Sequence, residues 1–152
     1  MTNFVPRIRI RPVESRDEAA WVDLRTALWP DFPDEHPVDV RRYLAKPPDR
    51  TVTFVSEMDG RIMGFAEISL RDFAEDCSTS PVGYIEAVYV EPDFRIAGVG
   101  RALIDAGEQW ARDRGCTEMA SDRALTNDPS GHFHESIGYT ETVRLVAYRK
   151  DL

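Results

Sequence analysis

The stretch that decides the fold runs from Val88 to Leu103 and reads VYVEPDFRIAGVGRAL. Its first residues are β-branched or aromatic, as is typical of a strand, and the acidic-proline turn at 91–93 ends that strand. Arg95, Gly98 and Gly100 follow in an Arg-x-x-Gly-x-Gly pattern that opens a helix. Glycines let a ligand approach the backbone closely, and the free N–H groups of a helix N-terminus favour phosphate. The stretch therefore predicts a strand, a turn and a helix that together hold a phosphate-bearing ligand.

Two better-known glycine motifs do not fit this stretch. The dinucleotide fingerprint needs G-x-G-x-x-G and an acidic residue about 20 positions later, and the P-loop needs Gly-Lys-Ser or Gly-Lys-Thr. Neither pattern follows Gly98. From the glycine pattern alone, a helix start without any ligand stays open as the alternative.

The rest of the chain predicts further elements around this unit. A capping box from Ser15 to Glu18 opens a first helix, and Asp59-Gly60 is a strong hairpin turn. Other helices are expected over 38–45, from Val99 to a cap at Gly115, and from Asp128 to Gly138; strands are expected over 7–11, 51–57, 61–70, 84–90, 117–121 and 140–149. Hairpin-joined early strands and helix-separated later ones indicate an α/β fold, a mixed central sheet with helices on both faces.

Composition limits the class of partner. The chain has 152 residues, a length that suits one domain over 1–152, and its formal net charge is −8. Such a charge argues against nucleic acid and against an anionic membrane surface, since both need clustered Lys and Arg. It would attract a cationic ligand, although acidity for solubility alone is an equal alternative.

Cysteine usage and hydropathy favour a cytoplasmic protein. Cys77 and Cys116 are too few for a disulfide framework, and their spacing does not indicate zinc. The first residues lack the apolar region of a signal peptide, and no apolar run approaches the ~18 residues of a membrane span.

The stretch over 88–103 resembles motif A of the GNAT N-acetyltransferase superfamily, Q/R-x-x-G-x-G/A, and the order of elements is also that family's. The resemblance implies a single GNAT domain, acetyl-CoA as co-substrate and no metal. It implies that backbone amides hold the pyrophosphate and the pantetheine arm, and that one amide near Val88 polarises the thioester carbonyl. The cofactor-binding residues so implied are Val88, Tyr89, Val90, Arg95, Ile96, Ala97, Gly98, Val99, Gly100 and Arg101.

A second signature lies nearer the C-terminus. Asn127, followed by His134 and then Gly138-Tyr139, is similar to the family's N-x(6)-Y-x-x-x-G-F/Y pattern, with His134 at the Tyr position. The resemblance implies that Asn127 helps to hold the cofactor arm. It also implies that His134 protonates the leaving thiolate, since a His donates a proton near neutral pH. A helix His with a purely structural hydrogen bond is the alternative.

Several stretches resemble one subfamily, the aminoglycoside 6′-N-acetyltransferases. They cover 28–31, 79–86, 116–122, 124–127 and 138–142. The resemblance implies that Trp29, Glu86 and Asp122 contact the aminoglycoside, and that Phe73 lies where an aromatic residue reaches it. The alternatives are core packing for Trp29, a solvated strand face for Glu86 and a helix cap for Asp122. The chain departs from the subfamily at Val143, where an acid is usual.

These observations together predict an acetyl-CoA-dependent N-acetyltransferase, with an aminoglycoside 6′-amine as acceptor. The amine attacks the thioester directly, with Glu86 as base and Asp122 as the alternative base. Cys116 is better interpreted as a small buried residue than as a nucleophile. The rivals are a GNAT enzyme for another small amine or polyamine, and a module that binds acyl-CoA without catalysis. The subfamily resemblance also implies a homodimer.

Overall fold

The computed structural model describes residues 7–152, apart from the side chains of Ile96 and Ala97. In chain order the helices and strands are β1 (Arg9–Pro12), α1 (Glu18–Leu28), α2 (Glu35–Ala45), β2 (Thr51–Met58), β3 (Arg61–Arg71), β4 (Val82–Val90), α3 (Val99–Arg112), β5 (Met119–Ser121) and α4 (Asp128–Ser136). Short 3₁₀ segments precede α1, at Ser15–Asp17, and α3, at Pro92–Ala97.

The described residues form a five-stranded sheet in the order β1-β2-β3-β4-β5. The first three pairings are antiparallel, and β4 pairs with β5 in parallel. Asp59 and Gly60 take positive φ values of 51° and 80°, as a two-residue hairpin turn between twisted strands requires. The mixed sheet expected from the sequence is confirmed.

Helices cover both faces of this sheet, again as expected. On one face, Trp21 and Val40 of α1 and α2 pack with Phe65 in one buried cluster. On the other face, Leu103 of α3 packs with Ile68 in a second cluster. Gly107 brings α3 close to the sheet, because a Cβ there would lie 2.7 Å from the Ile68 side chain. These contacts fix α3, and with it the glycine-bearing turn, against β3 and β4.

The start of α1 differs from the prediction. The capping box expected from Ser15 to Glu18 does not form; Oδ2 of Asp17 instead accepts a hydrogen bond from the backbone N–H of Glu14, at 2.8 Å. Asp17 is drawn inward because Arg11 donates to both of its carboxylate oxygens, at 2.7 and 2.9 Å. Both side chains of this ion pair are buried. The partner on β1, six positions earlier in the chain, therefore decided which acid caps the turn.

The second helix begins earlier than predicted, at Glu35 rather than Val38. Pro37 then lies in the first turn of α2, where a missing N–H costs no intrahelical hydrogen bond. The early start brings His36 into the helix, and His36 is buried.

The prediction of a last strand over 140–149 is wrong for the single chain. Residues 140–152, all described, form neither helix nor strand. Within the described residues β5 pairs with β4 alone, and the segment lies exposed, with Val146 at 73% and Tyr148 at 93% of full exposure. A strand requires a neighbour for its backbone groups, and propensity alone does not supply one.

Two further properties concern the whole described chain. No helix within residues 7–152 is both long and apolar enough to cross a membrane. Over the same range no three His, Cys, Asp or Glu side chains are grouped so that they would hold a metal ion.

Candidate active site

The centre of the candidate site is a β-bulge in β4. Ala87 pairs with Glu67 and Ile85 pairs with Ile68, so Glu86 is one extra residue on the β4 side of the ladder. A bulge of this kind kinks the strand and re-aims the side chain of the extra residue. Glu86, one of the predicted catalytic residues, is thereby the exposed member of an otherwise mostly buried strand.

The pairing of β4 with its other neighbour, β5, ends just before this bulge. The parallel pairing with β5 covers Gly83 to Ile85 and ends at the Ile85–Ser121 pair. From residue 86 to 90, the β5 side of β4 has no strand partner among the described residues. β5 ends at Ser121, so the edge of β4 beyond Ile85 is open; we call this opening the V and the Ile85–Ser121 pair its vertex. A ligand with amide groups could pair with the free edge.

Glu86 is held by two neighbours on β3. Arg71 donates to both carboxylate oxygens, at 2.9 and 2.7 Å, and the Ser69 hydroxyl donates at 2.5 Å. Burial by itself raises the pKa of Glu86, but the hydrogen bonds from Arg71 and Ser69 outweigh burial, and the pKa lies below its ordinary value. Glu86 is therefore ionised at neutral pH, with its charge already shared with Arg71.

Arg71 also links Glu86 to Asp122, the alternative base. The guanidinium lies over the Tyr84 ring, 3.4 Å from the ring centroid, and the Tyr84 hydroxyl donates to Asp122 at 2.7 Å. Burial, followed by the bond to Asp122, raises the pKa of Tyr84, so Tyr84 stays protonated and acts as a donor. The two predicted carboxylates are thus parts of one connected group.

A cavity of about 940 Å³ opens beside this group. Its lining includes Arg71, Tyr84, Asp122, His134 and Val143. Among all of the lining residues, acids outnumber arginines by seven to four, which gives the cavity a net negative charge suited to a cationic ligand. Trp29, Phe73 and Glu86 are not in the lining, but Arg71, which is, bonds to Glu86.

Trp29 lies at the end of α1 and is half-buried. Its backbone carbonyl accepts from Nε2 of His36 at 2.9 Å, and the two rings stack with their centroids 6.1 Å apart. Arg25, which pairs with Glu67 at 2.5 Å, lies 5.2 Å from the centroid of the Trp29 ring. These contacts fix the orientation of the Trp29 ring. That orientation is compatible with both interpretations of Trp29, core packing and contact with the ligand. Phe73, 68% exposed, lies on the loop before β4.

The glycine-bearing turn has the backbone geometry that the motif predicts. Gly98 takes a left-handed φ of 75° as the residue before α3, a conformation that a side chain disfavours. The first N–H groups of α3 lie directly after it, in the position that favours phosphate. Nε of Arg95 donates to the carbonyl of Val90 at 2.9 Å, so the arginine bridges the turn to the free end of β4. Donors and open edge together fit a long ligand with a phosphate end, as acetyl-CoA is.

Two other predicted cofactor-binding residues, Asn127 and Arg101, make hydrogen bonds at the two ends of α4. Asn127 is the N-cap of α4, and its Oδ1 accepts from the Ser130 N–H at 3.2 Å. Arg101 donates to the carbonyl of Ser136. Contact of either residue with the co-substrate stays a prediction, as do the roles of Val88, Tyr89, Ile96, Ala97, Val99 and Gly100.

His134 projects from α4 into the cavity with both ring nitrogens engaged. Nδ1 lies 2.6 Å from the carbonyl oxygen of Ser130, and Nε2 lies 2.7 Å from Oγ of Ser121. The sequence singled out His134 but not Ser121, because nothing local marks a serine 13 positions away as its partner. Arg71, Ser69 and Tyr84 were missed for the same reason. The one sequence signal for these contacts is the alternation of side chains along β3 and β4, which indicates which residues share a face. The bulge changes which residues of the two strands lie opposite each other, so the alternation alone does not identify the partners.

Known proteins that this chain resembles agree with the geometry. The acetyltransferase (GNAT) family model matches residues 21–139. The aminoglycoside N(6′)-acetyltransferase type 1 of Klebsiella aerogenes is 43% identical over 146 residues, 94% of this chain and 96% of the relative. The enzyme of the same name from Serratia marcescens is 40% identical over 135 residues, 88% of this chain and 92% of the relative.

Solved structures are similarly close. Aminoglycoside N-acetyltransferase AAC(6′)-Iy in complex with CoA superposes with a TM-score of 0.94 at 34% identity and covers 100% of both chains. AAC(6′)-Iy with the bisubstrate analog CoA-S-monomethyl-acetylneamine has a TM-score of 0.90 at 36% identity, over 96% of this chain and 99% of that one. The expected fold is confirmed, while the extension of the domain over all of 1–152 stays a prediction. On sequence and on fold, this chain belongs to the GNAT family of acetyltransferases.

Proposed function

We propose that the protein is an aminoglycoside 6′-N-acetyltransferase that uses acetyl-CoA. The observation that carries the proposal is the position of a net acidic cavity, with Asp122 in its lining, at the vertex where β4 and β5 separate. One arm of the V leads to the phosphate-binding turn, and the cavity accepts the amine. A multiply charged aminoglycoside needs several carboxylates as acceptors and countercharges, and the cavity supplies them.

Direct attack of the amine on the thioester suits this arrangement. The acceptor ammonium must lose one proton before it attacks, and Glu86 is the base, with Asp122 as the second candidate. Holding both substrates at the vertex of the V supplies much of the acceleration. Cys116 is buried, and burial raises the pKa of its thiol, so it is unsuited to be a nucleophile.

The test compares two antibiotics that differ at one group. Neomycin carries a 6′-amine and paromomycin a 6′-hydroxyl. We expect CoA thiol release with neomycin and none above background at the 6′ position of paromomycin, with the acetyl group located by NMR. Equal transfer to both antibiotics would place the acetyl elsewhere and refute the regiochemistry. Acetyl-CoA binding by calorimetry without transfer to any aminoglycoside or polyamine would indicate a module without catalysis.

Val143 offers a smaller test of the acceptor cavity. It lines the cavity, is 50% exposed and stands where the subfamily has an acid. We expect Val143→Glu to lower the KM for neomycin about 2- to 5-fold, the effect of one half-exposed countercharge of ~0.5–1 kcal/mol. Val143→Gln is the control, with similar size and no charge. An unchanged KM in steady-state kinetics with Val143→Glu would show that the ligand's ammonium groups lie away from this segment.

We further propose that the protein is a homodimer in which residues 140–149 of each copy pair with β5 of the other. The segment is rich in β-branched and aromatic residues, and its apolar side chains Val143, Leu145, Val146 and Tyr148 are all at least half exposed. The outer edge of β5, which no described strand covers, is a template for such pairing. That edge also lines the cavity, so in the dimer the exchanged segment would form one wall of the acceptor site. Two copies that exchange the same segment bury the same surfaces on each other, as a two-fold dimer requires.

Two truncations test the dimer. Full-length protein is expected at twice 17.3 kDa in light scattering after gel filtration. Removal of residues 140–152 is expected to give a monomer, whereas removal of 150–152 alone leaves the dimer intact. A monomeric full-length chain, or a dimer that survives the longer truncation, contradicts the exchange.

A cytoplasmic location also belongs to the proposal. Acetyl-CoA is a metabolite of the cytoplasm, and Cys77 and Cys116 are free thiols, as is usual in a reducing compartment. Cell fractionation with an antibody against the native protein tests it.

A further inference from the structure

The bonds of His134 assign its neutral tautomer. The carbonyl oxygen of Ser130 only accepts hydrogen bonds, so the nitrogen 2.6 Å from it, Nδ1, carries the hydrogen. In neutral imidazole the other nitrogen, Nε2, is then an acceptor. The group that faces Nε2 is the hydroxyl of Ser121, at 2.7 Å, which therefore donates its hydrogen to the ring. In this state His134 has no proton on Nε2 to give to a leaving group.

Ser121 lies at the vertex of the V. It is the last residue of β5 and is the partner of Ile85, after which β4 and β5 separate. In sequence, Ile85 precedes the bulged Glu86 and Ser121 precedes Asp122, so the Ile85–Ser121 pair is the last one before both candidate carboxylates. Ser121 and His134 both line the acidic cavity.

We propose that Ser121 and His134 act as a proton relay in acetyl transfer, with the Ser121 hydroxyl as the group that meets the reacting atoms. This inference rests on the proposed acetyltransferase activity. An ammonium acceptor loses two protons from nitrogen during the reaction. Glu86 takes the first, which frees the amine for attack, and the relay handles the second.

The relay balances as follows. The amine nitrogen bonds to the thioester carbon, and the attached nitrogen gives a proton to Oγ of Ser121 while Ser121 gives its own proton to Nε2 of His134. As the carbon–sulfur bond breaks, the imidazolium returns a proton to Oγ, and the hydroxyl passes a proton to the leaving sulfur. One proton has moved from nitrogen to sulfur, and both residues are restored.

The surroundings of His134 suit a ring that gains and loses charge. Ser130 on its own helix fixes Nδ1, and Tyr139 packs edge-on with ring centroids 5.9 Å apart. The hydroxyl of Tyr139 is directed away from the ring, to Glu108 of α3 at 3.1 Å. Tyr84 of β4 and Asp122, the residue after β5, also line the cavity, and those two are bonded to each other. Ser121 is therefore the direct route from the ring to the vertex.

Substitution of Ser121 separates the relay from a structural bond. We expect Ser121→Ala to lower kcat roughly 10- to 100-fold, at or below the low end for general acid–base catalysis because a water can replace the hydroxyl, with little change in acetyl-CoA affinity. Ser121→Thr keeps the hydroxyl and is expected to restore most of kcat. His134→Gln is expected to match Ser121→Ala, and His132→Gln, an exposed histidine on the same helix, is the unchanged control.

One readout would move only if protons pass through the pair, and a second tests the tautomer on which the relay depends. A proton inventory in mixed H₂O and D₂O is expected to show two protons in flight for the native enzyme and fewer for Ser121→Ala. Nitrogen NMR is expected to show His134 with its hydrogen on Nδ1, independently of activity. A native kcat in Ser121→Ala, an equal loss in Ser121→Thr, or a hydrogen on Nε2 in the neutral ring would overturn the relay.

Failure of the relay and failure of the proposed function give different results. If the native protein acetylates another amine but no aminoglycoside, the substrate is wrong, and the same variants test the relay with that amine. If no amine is acetylated, the activity itself fails, and the tautomer measurement still decides the hydrogen-bond assignment.

Discussion

Glu86→Gln is expected to lower kcat with an aminoglycoside by about 10³-fold, within the range for loss of a positioned general base. Acetyl-CoA affinity is expected to stay close to native, because the free edge of β4 and the turn at Gly98 do not depend on the carboxylate. The glutamine keeps the size and one acceptor oxygen for Arg71, so the loss reports on the charge. Steady-state kinetics and calorimetry measure the two quantities.

The matched control is Asp105→Asn, which removes the same charge from an exposed position on α3, on the far face of the sheet from α1. Its kcat is expected to equal the native value. A native kcat in Glu86→Gln would remove Glu86 from the base role, and a large loss in Asp122→Asn would then assign that role to Asp122.

The pH dependence gives an independent check on Glu86. Burial alone would raise its pKa, but Arg71 and Ser69 hold it below the ordinary value of 4.5. Because the base acts when ionised, the acidic limb that belongs to Glu86 in a plot of kcat/KM against pH is expected below that value. Any limb nearer neutrality belongs to a group other than Glu86, and Arg71→Ala, which removes the main partner, should move the Glu86 limb upward.

The largest effect on stability is expected from Asp17→Asn. The substitution leaves the Arg11 guanidinium, 6% exposed, without its bidentate partner. Loss of one member of a buried pair costs ~3–5 kcal/mol, and we expect ~3 because Glu57 stays bonded to Nε of Arg11 at 2.6 Å. For a domain of this size that lowers Tm by roughly 6–12 °C.

Asp72→Asn is the matched control for that loss. It breaks an Arg50–Asp72 pair of the same length, 2.7 Å, in which both side chains are at least half exposed. Surface pairs contribute ~0–1 kcal/mol, so calorimetric melting should hardly change. A similar loss in the two variants would show that burial is not what makes the Arg11–Asp17 pair important.

Acid should destabilise the native protein through the same carboxylate. Burial acts to raise the pKa of Asp17, but the hydrogen bonds from Arg11 and from the Glu14 backbone outweigh it and lower the pKa below the ordinary 3.8. The stabilisation is therefore present above pH 3.8 and is lost as pH falls through the lower, folded-state pKa. The asparagine has no carboxylate to protonate, so the free energy of unfolding of Asp17→Asn should fall less than that of the native protein as pH is lowered from 5.

Local rules in the sequence determined the hairpin, the turn before α3 and the glycine-bearing start of that helix. Asp59-Gly60 and Gly98 occupy conformations that few other residues tolerate, so two or three neighbours suffice to predict them. The same applies to the glycine motif, which led to the family and, through it, to the co-substrate. Glu86, Asp122 and His134 were also identified from the sequence, by position in matching segments.

The tertiary structure decided which groups those residues meet. Arg71 reaches Glu86, Tyr84 reaches Asp122 and Ser121 reaches His134 only because the bulge and the three-residue β4–β5 pairing set the register of the strands. The error at 140–149 has the same origin, since β-propensity does not specify the neighbouring strand. Backbone conformation depends on a few adjacent residues, whereas a hydrogen bond between strands depends on the alignment of distant segments, so the sequence by itself determined the candidates and the fold determined their chemistry.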